Sequence, residues 1–301
     1  MAPVADYPGV WGKATATIDW CEENYVVTEY VAEFWNTISN LAMIIPPILA
    51  GIKAYQEKLE TRFVVSFLSI LVVGIGSWCF HMTLLYEMQL FDELPMIWGS
   101  CIFVFDLFHS FTPPKYQNLP MILCLVLYSF IITAVYISIK NPIFHETAYA
   151  VLVFTLFFKS LDMLRRPNSS RALFFTALAT YGTGFIIWNI DNFFCHNIRE
   201  FRGTLTSPWR PLTQLHAWWH LLAGLGTYIH VLYRPLWESH ITMYQKEWKR
   251  MDQYTKTDDV ITGSDISTLQ EVAWHLCVKV KKAIIVRKKA HSFTNFVHIL
   301  T

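Results

Sequence analysis

Charge is scarce in this sequence. Lys, Arg, Asp and Glu together make up 16% of the 301 residues, against ~25% in an ordinary soluble domain. With 53% hydrophobic residues, that shortage excludes a typical soluble globular chain and points to a polytopic membrane protein. Net charge is only +1, so there is no basic field to hold a nucleic-acid partner. Cysteine is also sparse: six residues, at 21, 79, 101, 124, 195 and 277, are too scattered for a disulfide scaffold. The first 33 residues lack a basic start followed by an apolar core, so no cleaved signal peptide is expected. Internal repeats, low-complexity tracts and an EF-hand loop are absent as well.

What is present is a series of apolar stretches bounded by charge or proline. Seven of them, at 34–53, 63–84, 91–110, 119–138, 144–164, 172–191 and 212–233, are each near the ~20 residues that cross a hydrocarbon core as a helix. The expected fold is therefore an all-α integral membrane protein, a bundle of seven transmembrane helices. Residues 1–33 form an N-terminal segment, 34–235 the membrane domain and 236–301 a basic tail. Lys and Arg are heavier on the side that holds Lys53, Lys58, Arg62, Lys115, Arg165, Arg166, Arg171 and the tail. The positive-inside rule makes that side cytosolic and the N-terminus luminal. Contact of the tail with anionic lipid is its default explanation.

Polar residues inside the spans then fall into a pattern. His216 and His220 are four apart, one above the other on a single helix face, so both can reach one ion. Ser77 and His81 share a face of the second span in the same way, and Asp92 begins the third. By the orientation above, these five residues from three spans meet at one depth on the luminal side. A lone intramembrane histidine is usually a hydrogen-bonded packing residue, and the H-x-x-x-H pair alone is a weak signal. His81 as a third ligand completes the set of a catalytic Zn²⁺ with one open position. Such an ion acidifies its water and polarises a carbonyl. Asp92 can carry the proton to a leaving amine, and Ser77 can hydrogen-bond the activated water or the developing oxyanion. Read blandly, Ser77 back-bonds to a helix carbonyl and Asp92 caps the third span. Gly74, Gly76, Gly224 and Gly226 allow close helix contact around the site.

A second group, Asp19, Trp20, Glu22, Asn24 and Glu33, supplies hard oxygen ligands of the kind Ca²⁺ takes. On the residues alone, a solvated acidic patch is the preferred reading. Glu33, Asn36, Thr37 and Asn40 make a polar stripe along span 1 that should face the bundle, with Pro46 and Pro47 kinking the helix beyond it. Cys21 and Cys195 both fall on the luminal side, where a bridge would persist. Asp191 either supports a ligand or caps a helix, Lys159 and Asp162 make a local ion pair, and His109, His145 and His196 are ordinary. The sequon at Asn168 lies in a loop expected to be cytosolic, so no glycan is expected there.

Together, Asp19-Trp-Cys-Glu-Glu-Asn24, Glu33-Phe-Trp-Asn36, Gly76-Ser-Trp-Cys-Phe-His-Met-Thr83, Asp92-Glu-Leu-Pro-Met96, Trp188-Asn-Ile-Asp-Asn192 and His216-Ala-Trp-Trp-His220 strongly resemble the alkaline ceramidase family, over about residues 1–235. The resemblance implies a seven-helix intramembrane amidase of the endoplasmic reticulum and Golgi that splits ceramide, phytoceramide and dihydroceramide into a sphingoid base and a fatty acid. It implies zinc on His81, His216 and His220, with Ser77 and Asp92 catalytic. It also implies Ca²⁺ on Asp19, Trp20 (through its carbonyl), Glu22, Asn24 and Glu33, in place of the solvated patch, and is consistent with a Cys21–Cys195 pair. Partners are then the lipid substrate and the bilayer, with no obligate protein partner. Two rivals stand beside this reading: a seven-helix zinc receptor of the adiponectin and progestin type, and a metal-free lipid transporter or structural membrane protein.

Overall fold

The computed structural model describes residues 7–109, 118–165 and 170–233. The basic tail and most of the sequon lie outside them. Among the described residues the chain is helical, with one isolated β-bridge, Thr28 to Val31, and no strand. The helices are α1 (Phe34–Ser39), α2 (Leu41–Gln56), α3 (Thr61–Thr83), α4 (Tyr86–Phe108), α5 (Leu119–Ile139), α6 (Pro142–Leu164), α7 (Arg171–Phe193) and α8 (Cys195–Thr204). A 3₁₀ segment, Ser207–Thr213, precedes α9 at 215–233. Phe34–Gln56, α3, α5, α6 and α7 are each long and apolar enough to cross a membrane.

α3 is packed against both α2 and α4. Its glycines set how closely those neighbours come. Pro47 and Pro95 lack an N–H, so the carbonyls four residues earlier, on Met43 and Phe91, lose their helical donors. α3 offers a glycine opposite each. A Cβ on Gly74 would lie 3.0 Å from the Met43 oxygen, and one on Gly76 only 2.1 Å from the Phe91 oxygen. Gly224 and Gly226 of α9 are as crowded, against Met43 and Tyr181.

The N-terminal segment lies across the turn between α3 and α4. Leu84 makes that turn in the left-handed region, φ 54°, and is fully buried. Its carbonyl accepts from the N–H groups of both Thr15 and Ala16, at 3.1 Å each. Ala32 and Glu33 donate to the carbonyls of Met82 and His81 at 2.9 Å. The Cys21–Cys195 disulfide joins the segment to the start of α8. From α8, Arg199 and Arg202 reach back to the Cys21 carbonyl at 3.1 and 3.0 Å, and Arg202 also meets Glu23.

Several boundaries differ from expectation. α4 starts at Tyr86, not 91, so Asp92 lies inside the helix and Leu85, not Asp92, is its N-cap. The helix runs through Asp92 without a break. The first span breaks at Asn40, ahead of its two prolines. The last begins at 215, because residues 195–213 fold into α8 and the 3₁₀ segment.

Candidate metal centre

Three imidazoles converge where α3 and α9 meet beneath the N-terminal segment. His81, His216 and His220 are all buried, at 1–4% exposure, and one ring nitrogen from each lies within 4.8 Å of the others. Among the described residues, this is the one grouping of three His, Cys, Asp or Glu drawn so close. Two of the three rings are held from behind. His81 Nδ1 bonds the Glu33 carboxylate at 2.5 Å. His220 Nδ1 lies 2.8 Å from Ser39 Oγ and 3.0 Å from the Asn36 carbonyl. With both Nδ1 atoms engaged, the Nε2 atoms are left for an ion, and outer partners of this kind fix tautomer and ring orientation. The Trp20 indole stacks on His216 with centroids 3.9 Å apart, and His216 Nδ1 is buried without a hydrogen-bond partner. Three converging imidazoles, two of them braced from behind, fit zinc.

Ser77 is buried one turn before His81 on α3 and donates its hydroxyl hydrogen to Asp92 of α4. The crowded Gly76 is what lets the two helices come close enough for that bond. Asp191, at the end of α7, is buried near the backbone of Cys21 and His216, and its Oδ2 has no hydrogen-bond partner.

The acidic group is buried rather than solvated. Glu22 and Glu33 are 3% and 0% exposed. Burial pushes each carboxyl up to about 8, and for Glu22 the neighbouring Glu33 charge adds to the effect. Glu22 receives the N–H groups of Trp35 and Asn36 at 2.7 and 2.8 Å, so it also caps α1. Glu33 Oε1 has no hydrogen-bond partner, and Asp19 acts on Glu33 as a like charge. Two buried acids, one with an orphaned oxygen, fit a bound hard cation such as Ca²⁺, with Arg202 and Arg199 adding positive charge toward Glu22 and Glu33. These carboxyls are nonetheless not drawn together as tightly as the three imidazoles.

Some of what surrounds the site had little or no signal in the sequence. Ser39 extends the predicted stripe of Asn36, Thr37 and Asn40, all buried. His145 is not ordinary. It is buried, and its Nε2 lies 2.8 Å from the Glu93 carbonyl of α4. Its partner is a backbone atom, which no spacing rule can reveal. Lys159 and Asp162 do pair, at 3.3 Å.

Comparison with known proteins gives one consistent result. The Ceramidase family model matches residues 12–258. Alkaline ceramidase 3 of Mus musculus is 50% identical over 77% of this chain and 88% of its own length. Alkaline ceramidase YPC1 of Saccharomyces cerevisiae is 34% identical over 76% of this chain and 79% of its own. An alkaline ceramidase of Arabidopsis thaliana is 29% identical over 72% and 82%.

Proposed function

The chain belongs to the ceramidase family, and we propose that it is a zinc-dependent intramembrane amidohydrolase cleaving the N-acyl bond of ceramide, phytoceramide and dihydroceramide to a sphingoid base and a fatty acid. The observation that carries this reading is the juxtaposition of three buried imidazoles with the Ser77–Asp92 pair. His81, His216 and His220 would hold the ion. Bound zinc supplies Lewis-acid polarisation of a carbonyl and makes water acidic near neutral pH. Asp92 takes the proton of the attacking water on a carboxylate oxygen and returns it to the departing amine nitrogen. Ser77 orients that carboxylate in the resting state and turns its hydroxyl toward the oxyanion as the carbonyl becomes tetrahedral. Glu33 and the Asn36–Ser39 turn keep the imidazoles aimed.

Asp19, the Trp20 carbonyl, Glu22, Asn24 and Glu33 would hold Ca²⁺, whose charge balances the buried acids. We take the membrane domain as 34–235 with seven spanning helices, and 1–33 and 236–301 as its luminal cover and cytosolic tail, in the endoplasmic reticulum and Golgi. The Lys and Arg distribution supports that orientation. A site within the bilayer has a physical reason: lifting a two-chain lipid into water costs ~0.8 kcal/mol per CH₂. The receptor and metal-free transporter readings are disfavoured by the family match.

The experiment is turnover of labelled ceramides by wild type and Asp92→Asn in detergent micelles, with metal content measured on the same samples. Loss of turnover by about 10²- to 10⁴-fold with zinc retained is the expected outcome. Purified protein without zinc, or an Asp92→Asn variant as active as wild type, sinks the mechanism.

A further inference from the structure

α4 is gripped on both sides of Asp92 by groups that the chemistry leaves unused. Pro95 removes a rung from the helical ladder one turn after Phe91, so this part of α4 is locally free to bend. On one side Gly76 receives the backbone at Phe91 and Asp92. On the other side His145 of α6 donates Nε2–H to the Glu93 carbonyl at 2.8 Å. The Glu93 carboxylate accepts from the Tyr136 hydroxyl of α5 and from Gln89 Nε2 at 3.1 Å. Gln89 in turn exchanges hydrogen bonds with Thr17, 2.8 Å in each direction, and so reaches the N-terminal segment.

These groups are deeply placed: Gln89 and Tyr136 are 0% exposed, His145 2% and Glu93 6%. Burying a carboxyl and an imidazole away from the reacting atoms is costly, and apolar side chains would fill the space more cheaply. What the polar groups provide, and apolar ones cannot, is a fixed rotation and height for one turn of α4. Asp92 is in that turn.

We propose that His145, backed by the Glu93–Tyr136 pair, is a positioning residue for Asp92. It holds the carboxylate at the angle where Ser77 and the imidazole cluster can use it. The inference rests on the reading of Asp92 as the proton carrier. A carboxylate in that role must be held to within about 0.5 Å, and a 1 Å displacement can cost ~10²-fold in rate.

The test uses the full chain in detergent micelles. His145→Phe keeps the ring volume and removes the donor, while His145→Gln returns an N–H to the same carbonyl. His145→Phe should lower kcat about 10- to 100-fold, with KM and zinc content unchanged. His145→Gln should recover to within about threefold of wild type, because an amide N–H can replace the lost bond. Tyr136→Phe is nearly isosteric and should show the same split at about 3- to 10-fold. It decides the matter if His145→Phe does not fold. Wild-type kcat in His145→Phe, or kcat and zinc content falling in parallel in both variants, overturns the positioning role. Asp92→Asn in the same series separates the two layers. If it is inactive while His145→Phe is fully active, only the positioning role fails. If it is fully active, the proton-carrier reading fails and takes this inference with it.

Discussion

α3 and α5 have nearly the same length, 23 and 21 residues, and both are apolar enough to cross a membrane. They are otherwise opposites. α3 buries Ser66, Gly74, Gly76, Ser77, His81 and Thr83 alongside Phe63, Phe67, Ile70 and Phe80. α5 buries Tyr136 alone, while Leu123, Val126, Leu127 and Phe130 stay 56–70% exposed. In water the apolar side chain marks the inside. In lipid it marks nothing, because the solvent is equally apolar, and small or polar residues identify the inner helix. Even the exception obeys the rule, since the one buried residue of α5 is there for its hydroxyl.

The contrast can be broken most severely at Gly76. Gly76→Ala places a methyl 2.1 Å from the Phe91 oxygen, so α3 and α4 must part and the Ser77–Asp92 bond with them. Turnover should fall by at least ~10²-fold, with a loss of roughly 1–3 kcal/mol in stability, read by assay and thermal unfolding. If Gly76→Ala keeps wild-type turnover, the close approach is not what assembles the site.

A smaller break is Glu33→Gln, which keeps the shape but replaces the acid behind His81 with an amide. Zinc affinity should weaken about 10- to 100-fold, and the stabilisation that added Ca²⁺ gives to wild type should shrink. Equilibrium metal titration and melting curves with and without chelator check both. The smallest effect belongs to the outer helix. Leu123→Ala, 59% exposed on α5, should shift stability by no more than ~0.5 kcal/mol and leave turnover alone. A large effect would mean that α5 is covered by something other than lipid.

The same contrast explains which features were legible in advance. The four-residue spacings of Ser77 and His81 and of His216 and His220 are helix-periodic, and each pair does share a face. The stripe from Glu33 to Asn40 was readable for the same reason, since polar side chains in an apolar run must face inward. Partners that are backbone atoms left no such trace. His145 bonds a carbonyl, and the Leu84 turn binds two amides from Thr15 and Ala16. The start of α4 was misplaced because Asp92 reads as the cap of a new span, although the helix begins at Tyr86 and runs through it. α8 and the 3₁₀ segment are short and mixed in composition, held by Arg202 and the disulfide rather than by periodicity.

Leu84 and the two amides that dock on it carry a practical consequence for anyone reshaping this protein. Trimming the leader up to the first helix would remove stitches from the α3–α4 turn, the Trp20 ring that shields His216 and the Glu33 brace in a single cut. Residues 14–33 pack over the candidate metal centre through Trp20 and Glu33, and any redesign of this protein has to carry them along.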